Sequence, residues 1–147
     1  METKMVAFKE GHLDLMDIRE EEMKMFAGVD NWRVAITNMA EDSHAFTMLA
    51  DGRPIACGGV FEIAPGIAYS WLLPTHYVDL HWKTFAVEVK NFFERMTETL
   101  GFYRFETSCP YTEVHSRWMK FLGFNKEGIK RQAGAGRIDM IMYARIV

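Results

Sequence analysis

Between residues 78 and 100 the apolar side chains Trp82, Phe85, Val89, Phe92, Phe93, Met96 and Leu100 fall at intervals of 3, 4, 3, 1, 3 and 4. An α-helix gathers residues so spaced onto one face. Glu88, Glu94, Arg95 and Glu98 occupy the other faces, and Gly101 suits the left-handed residue that ends a helix. Strand-like segments flank this stretch, 67–73 before it and 103–107 after it. A helix joining two strands of one sheet makes a right-handed crossover, so those strands are expected to lie parallel and adjacent. The chain is therefore expected to be an α/β protein.

The remaining segments arrange themselves around that crossover. Residues 4–8 read as a first strand, and 13–26 as one or two short amphipathic helices carrying Leu13, Met16, Met23 and Phe26. Gly28 stops them, and Asp30 is placed to cap a helix through Met39. The period then changes. Residues 45–50 and 54–63 read as strands joined at Asp51-Gly52, a strong hairpin signal, with Gly58-Gly59 expected to form a bulge. Pro65-Gly66 turns the chain into strand 67–73. After the crossover, Thr112 is placed to cap a helix that Gly123 closes. Strands 124–131 and 137–147 follow, joined by the sequence AGAG.

Composition narrows the function. A chain of 147 residues points to one domain. Its net charge of -3 argues against a general nucleic-acid binder, which needs a basic surface. No apolar run is long enough to span a membrane, and the opening METKMVAFKE lacks the apolar core of an export signal. Cys57 and Cys109 lie in apolar strand context and read as free, buried, reduced thiols. The 11 methionines suggest a plastic interior or an adhesive binding surface. His76 and His81 are five apart, a poor spacing for two ligands on one helix face, and no metal site is expected. Ser70 and Ser108 have no His/Asp pattern around them that would suit a hydrolase.

Two blocks are more specific: HSRWMKFLGF at 115–124, a short helix ending in Leu-Gly-Phe, and GRPIACGGV at 52–60. With the element order, they resemble the GNAT family of N-acetyltransferases. More narrowly, G-x-P-I-A-x-G-G at 52–59 with H-x-R-x-x-K-x-x-G at 115–123 resembles the gene-13 internal-protein family of T7-like podoviruses. The resemblance covers residues 45–147 and implies a GNAT-like α/β fold, with a mixed, mostly antiparallel sheet and flanking helices, in a single domain.

In GNAT enzymes the loop after the fourth strand and the first turn of the next helix present backbone N–H groups to the pyrophosphate of coenzyme A. The resemblance puts that place at LLPTHYVDLHWKTF, 72–85, with cofactor contacts at Leu73, Tyr77, Val78, Leu80, Trp82 and Lys83. Tyr77 stands where the family has Arg or Gln, and Leu80 and Trp82 where it has glycine. Bulky groups there are expected to crowd the phosphates. The motif R-x-x-G-x-G does occur, in RQAGAGR at 131–137, but between two strands, where no helix N-terminus follows. Met119 stands where many members have a proton-donating Tyr. Glu62 as base, with Tyr69 or Tyr111 as acid, are the candidate catalytic residues. Trp71, Tyr77, His81 and Trp82 form an aromatic group that either packs the core, plugs the cofactor slot or offers a partner patch.

Two functions follow from the resemblance. One is a phage accessory protein with a degenerate acetyl-CoA site, acting through contacts with a phage or host protein in the host cytoplasm or the virion. The other is an active N-acetyltransferase using acetyl-CoA on an amine of a protein or small molecule. Neither involves nucleic acid or a membrane.

Overall fold

The computed structural model describes residues 2–26 and 28–147. Strand β1 (Thr3–Ala7) is followed by a 3-10 turn, Glu10–Leu15, then α1 (Glu20–Met23), a second 3-10 turn, Lys24–Phe26, and α2 (Trp32–Glu41). Strands β2 (His44–Ala50), β3 (Arg53–Ala64) and β4 (Ile67–Pro74) come next. A 3-10 turn, His76–Leu80, leads into α3 (Trp82–Leu100) and β5 (Arg104–Pro110). Helix α4 (Glu113–Phe121), β6 (Asn125–Lys130), a 3-10 turn, Ala135–Arg137, and β7 (Met140–Ile146) complete the order. The seven strands form one sheet in the order β1-β2-β3-β4-β5-β7-β6.

Strand β4 pairs with β5 in parallel, from Ile67↔Arg104 to Tyr69↔Glu106, as the α3 crossover demands. The pairs β1–β2, β2–β3, β5–β7 and β6–β7 are antiparallel. The expected mixed, mostly antiparallel sheet with flanking helices is what the chain forms. By compactness one unit runs to Phe61 and takes in Trp71–Phe85, while a second comprises Glu62–Ser70 and Ala86–Val147.

In the first unit the hairpin between β2 and β3 turns on Asp51 (φ 49°) and Gly52 (φ 81°). Positive φ at both central residues is what a type I′ turn requires. The expected bulge at Gly58-Gly59 is not there: those residues pair in register with Phe46 and Ala45. The register shifts between Met48 and Leu49, which pair with Ala56 and Pro54. Pro54 has no N–H to give the ladder, so the irregularity falls beside it. The two glycines answer a different need. A Cβ on Gly58 would stand 2.7 Å from the Trp71 carbonyl oxygen, and one on Gly59 2.7 Å from that of His44. The core of this unit gathers Leu13, Ile36, Phe46, Met48, Ile55, Val60, Leu73, Val78 and Phe85, all buried.

Two helix starts differ from expectation. Asn31, one residue after the expected Asp30, caps α2 by accepting from the Val34 N–H. The long helix begins at Trp82 rather than Val78. Thr75 sets this up: its hydroxyl donates to the Ile55 carbonyl at 2.7 Å and accepts from the Tyr77 N–H at 3.3 Å. The chain winds as a tight turn to Leu80, and His81 (φ -132°, ψ 26°) breaks it from the helix proper.

The second unit is built on phenylalanines. Phe93 of α3 meets Phe105 edge-on at 4.9 Å and Phe124 at 5.4 Å, and Phe102 meets Phe105 at 5.9 Å. Such pairs add about 0.5–1.5 kcal/mol each beyond the area they bury. Thr112 caps α4 as expected, accepting from the His115 N–H at 3.0 Å. On the sheet, Arg104 bridges Glu106 and Glu127, which holds the Glu127 carboxyl below its ordinary range.

Candidate functional site

The first unit carries the entry to α3, where the turn His76–Leu80 meets the helix at Trp82. Its first-turn amides have no acceptor one turn back within the helix, as at any helix start. The turn before it is pinned by Thr75, which is fully buried. Of the six residues expected to contact a cofactor, Leu73 and Val78 belong to the core, and the Val78 N–H already donates to the Thr75 carbonyl at 3.2 Å. Tyr77 is half-buried with the Arg53 guanidinium 4.0 Å above its ring, a cation–π stack. Leu80 and Trp82 stand in solvent at 73% and 43% exposure, and the Lys83 ammonium lies 5.7 Å from the Trp82 ring. Asp79, on the same turn, accepts from the buried Arg19 at 3.3 Å.

The aromatic group divides accordingly. Trp71 is buried and donates its indole N–H to the Ser43 hydroxyl at 3.1 Å. Tyr77 and His81 are half-buried and Trp82 is exposed. Core packing therefore describes Trp71, while Trp82 is a surface residue.

In the second unit, Tyr69 is the last residue of the parallel pairing with β5. Burial pushes its phenol pKa up; hydrogen bonds with the Ser108 backbone and the Thr107 side chain pull it the other way, and nearby Cys109 pushes it up again. The group keeps its proton at neutral pH and is an acid rather than a base. Ser70 beside it is buried, and its carbonyl accepts from the Thr107 hydroxyl at 2.9 Å. Tyr143 of β7 is a phenol the sequence analysis did not single out. It is buried, close to Cys109, and hydrogen-bonded to Ser116 of α4. No local pattern marks it, because its neighbours come from β5 and α4. Tyr111 is 72% exposed and Glu62 is exposed on β3, so neither is held by packing in a defined orientation.

The loop RQAGAGR joins β6 to β7, as expected. Its amides are already used: Gly134 N–H donates to the Ile138 carbonyl at 2.9 Å, Arg137 N–H to Gly134 at 3.1 Å, and Gln132 N–H to the Asp139 carboxylate at 2.9 Å. An anion would have to displace those bonds. Neither cysteine is in a disulfide, both are buried, and burial pushes the Cys57 thiol up to about 12. His115 is buried with its ring 2.8 Å from the Thr112 hydroxyl. Among the described residues no three His, Cys, Asp or Glu side chains cluster as metal ligands, and no helix is long and apolar enough to cross a membrane.

No protein-family model and no curated protein matches the chain. Solved structures do. An IAA acetyltransferase from Bacillus cereus superposes with a TM-score of 0.72 at 11% identity, over 99% of this chain and 100% of that one. RimL, the ribosomal L7/L12 alpha-N-protein acetyltransferase, solved with coenzyme A in a disulfide to one of its cysteines, gives 0.70 at 14% identity, over 99% and 94%. A Vibrio cholerae spermidine N-acetyltransferase chimera gives 0.70 at 11%, over 98% and 95%. Nearly complete coverage in both directions means that the whole chain takes part in the likeness, so this protein has the GNAT acetyltransferase fold.

Proposed function

We propose that the chain binds acetyl-CoA and transfers its acetyl group to an amine. The observation that carries this reading is the disposition of Leu80 and Trp82. Where crowding was expected, both side chains extend into solvent, and the donors of the α3 entry belong to the backbone. The residues fit a diphosphate: the first-turn amides near Lys83 and Thr84 supply N–H groups, and Lys83 and Arg53 supply positive charge. Acetyl-CoA would supply an activated thioester. A neutral amine would then displace the thiolate from the acetyl carbonyl carbon, with one proton passing from the amine to the thiolate in balance. In the second unit, burial keeps the Tyr69 phenol protonated, the state that an acid needs. The three proteins named above are acetyltransferases by name, two of them N-acetyltransferases, which supports an amine acceptor.

The second reading is a phage accessory protein whose acetyl-CoA site is spent and which works through a phage or host protein, in the host cytoplasm or the virion. Leu80 and Trp82 also favour it, since exposed large apolar side chains are what partner contacts use. Thermal unfolding with acetyl-CoA or free coenzyme A separates the two. A ligand at one hundred times its Kd stabilises by about 2.7 kcal/mol, an upward shift of about 5–10 °C for a chain of this size. No shift at millimolar ligand sinks the enzyme reading. A shift retained or enlarged in the Leu80→Gly, Trp82→Gly double variant supports it, since only the bulk beside the amides has changed.

A further inference from the structure

We propose that His12 is a proton-operated latch: its neutral ring holds the segment after β1 against β2, and protonation lets that segment go. The Nδ1 atom of His12 lies 3.1 Å from the Lys9 backbone nitrogen and 2.7 Å from the Thr47 hydroxyl. A backbone N–H can only donate, so Nδ1 must accept and the ring proton must sit on Nε2. The Thr47 hydroxyl, fully buried on β2, then donates to the same lone-pair region. One unprotonated nitrogen thus closes the 3-10 turn Glu10–Leu15 and ties it to the sheet.

Protonation changes the chemistry of that nitrogen. An Nδ1–H would face the Lys9 N–H donor to donor, and that bond is lost. The Thr47 hydroxyl can rotate and accept, so one of the two ties survives at most. The ring's surroundings oppose the proton. Lys9 is the charged group beside it, Phe8 stands edge-on at 6.3 Å, and β2 presents the uncharged Thr47. On the same turn Glu10 and Asp14 are exposed, and Asp14 is engaged by Arg33 of α2. Burial and then Lys9 lower the ring's pKa from 6.5, in the sense the hydrogen bonds require.

The segment has a second attachment that is not imidazole-dependent. Ile18 bridges Thr75, and the Arg19 N–H donates to the Pro74 carbonyl at 3.3 Å. Acid therefore loosens residues 9–16, leaving the buried Leu13 and the Asp14–Arg33 pair as their remaining ties, with a hinge at Ile18 and Arg19.

Hydrogen exchange of the intact protein between about pH 7.5 and 5, corrected for intrinsic rates, tests the latch. Protection over residues 9–16 should fall by up to about tenfold per pH unit below 6.5, while β7 peptides hold theirs. His12→Asn keeps an acceptor oxygen in place of Nδ1 and cannot titrate, so its protection should not depend on pH. Protection that stays constant in the wild type, or falls equally in His12→Asn, overturns the proposal. Should that variant not fold, the imidazole nitrogen shifts of the wild type decide: a neutral Nε2–H tautomer is required, and an Nδ1–H tautomer refutes the latch.

Discussion

Replacing Gly58 by alanine tests whether close approach, rather than a bulge, is why β3 carries two glycines. The added Cβ would stand 2.7 Å from the Trp71 carbonyl oxygen, 3.0 Å from a Leu72 methyl and 3.1 Å from the Phe46 ring. Unstrained carbon contacts lie near 3.5–4.0 Å, so something must give. The Leu72 methyl can rotate away. The Trp71 carbonyl is main chain of β4, and Phe46 is buried at 5% exposure, so neither yields cheaply. Overpacking of this kind costs about 1–3 kcal/mol. Alanine recovers about 0.4–1 kcal/mol by restricting the unfolded chain. The net is a loss of up to about 2.6 kcal/mol, or up to about 10 °C in Tm at this chain length. Urea unfolding at unchanged m-value measures it. Two controls separate the causes. Gly128→Ala meets nothing within 4 Å and should be neutral or stabilising, whereas Gly101→Ala, equally open but at φ 76°, should lose about 1 kcal/mol through backbone strain alone. If Gly58→Ala is as stable as Gly128→Ala, the close-approach reasoning is wrong.

Phe105→Ala removes a fully buried ring from the phenylalanine cluster and should cost about 3–5 kcal/mol in chemical denaturation; a loss below 1 kcal/mol would show that the cluster collapses around the gap. Stability should also fall in acid through His12. Its folded pKa is lowered, so its contribution is complete above the unfolded value of 6.5 and is lost as pH falls through the folded one. The pH dependence of unfolding free energy in wild type and His12→Asn checks this, and parallel curves would remove His12 from the account.

What could be read from the sequence was what local chemistry decides. Asp51-Gly52, the Thr112 cap and the stripe on α3 each carry their own geometry, and the crossover followed from two strands and one helix. The failures have a common cause in distant neighbours. Gly58-Gly59 looks like a bulge until β4 is known to cross so near, and the true irregularity depends on a missing N–H at Pro54. The helix start was misplaced because Val78 keeps the apolar spacing while Thr75 reaches Ile55, 20 residues back, and imposes a tighter turn. The site residues suffered most. Tyr69 acquires its character from Thr107, Ser108 and Cys109, and Tyr143 from Cys109 and Ser116, across strands that no local pattern pairs. His12 carries no local signal of its tie to the sheet, because Thr47 lies 35 residues away.

Losing glycine from an anion cradle is not the same as losing the cradle. In the proposed site the donors would be amides of the α3 entry, and a glycine only decides how near a phosphate can come. With Leu80 and Trp82 turned to solvent, the penalty is a longer approach on one side. A hydrogen bond to a charged group contributes about 1.5–3 kcal/mol, so one or two such bonds lost would weaken binding by one to a few powers of ten. Point charges fall off more slowly with distance than hydrogen bonds do, and Lys83 and Arg53 flank the same turn. An exchange of short amide contacts for longer-range cations has a signature. Exposed charges are screened within about 8–10 Å at physiological salt, whereas close amide bonds are screened much less. If the chain binds coenzyme A as proposed, its affinity must therefore drop steeply as salt rises, and an affinity indifferent to salt would mean that the phosphates are held elsewhere.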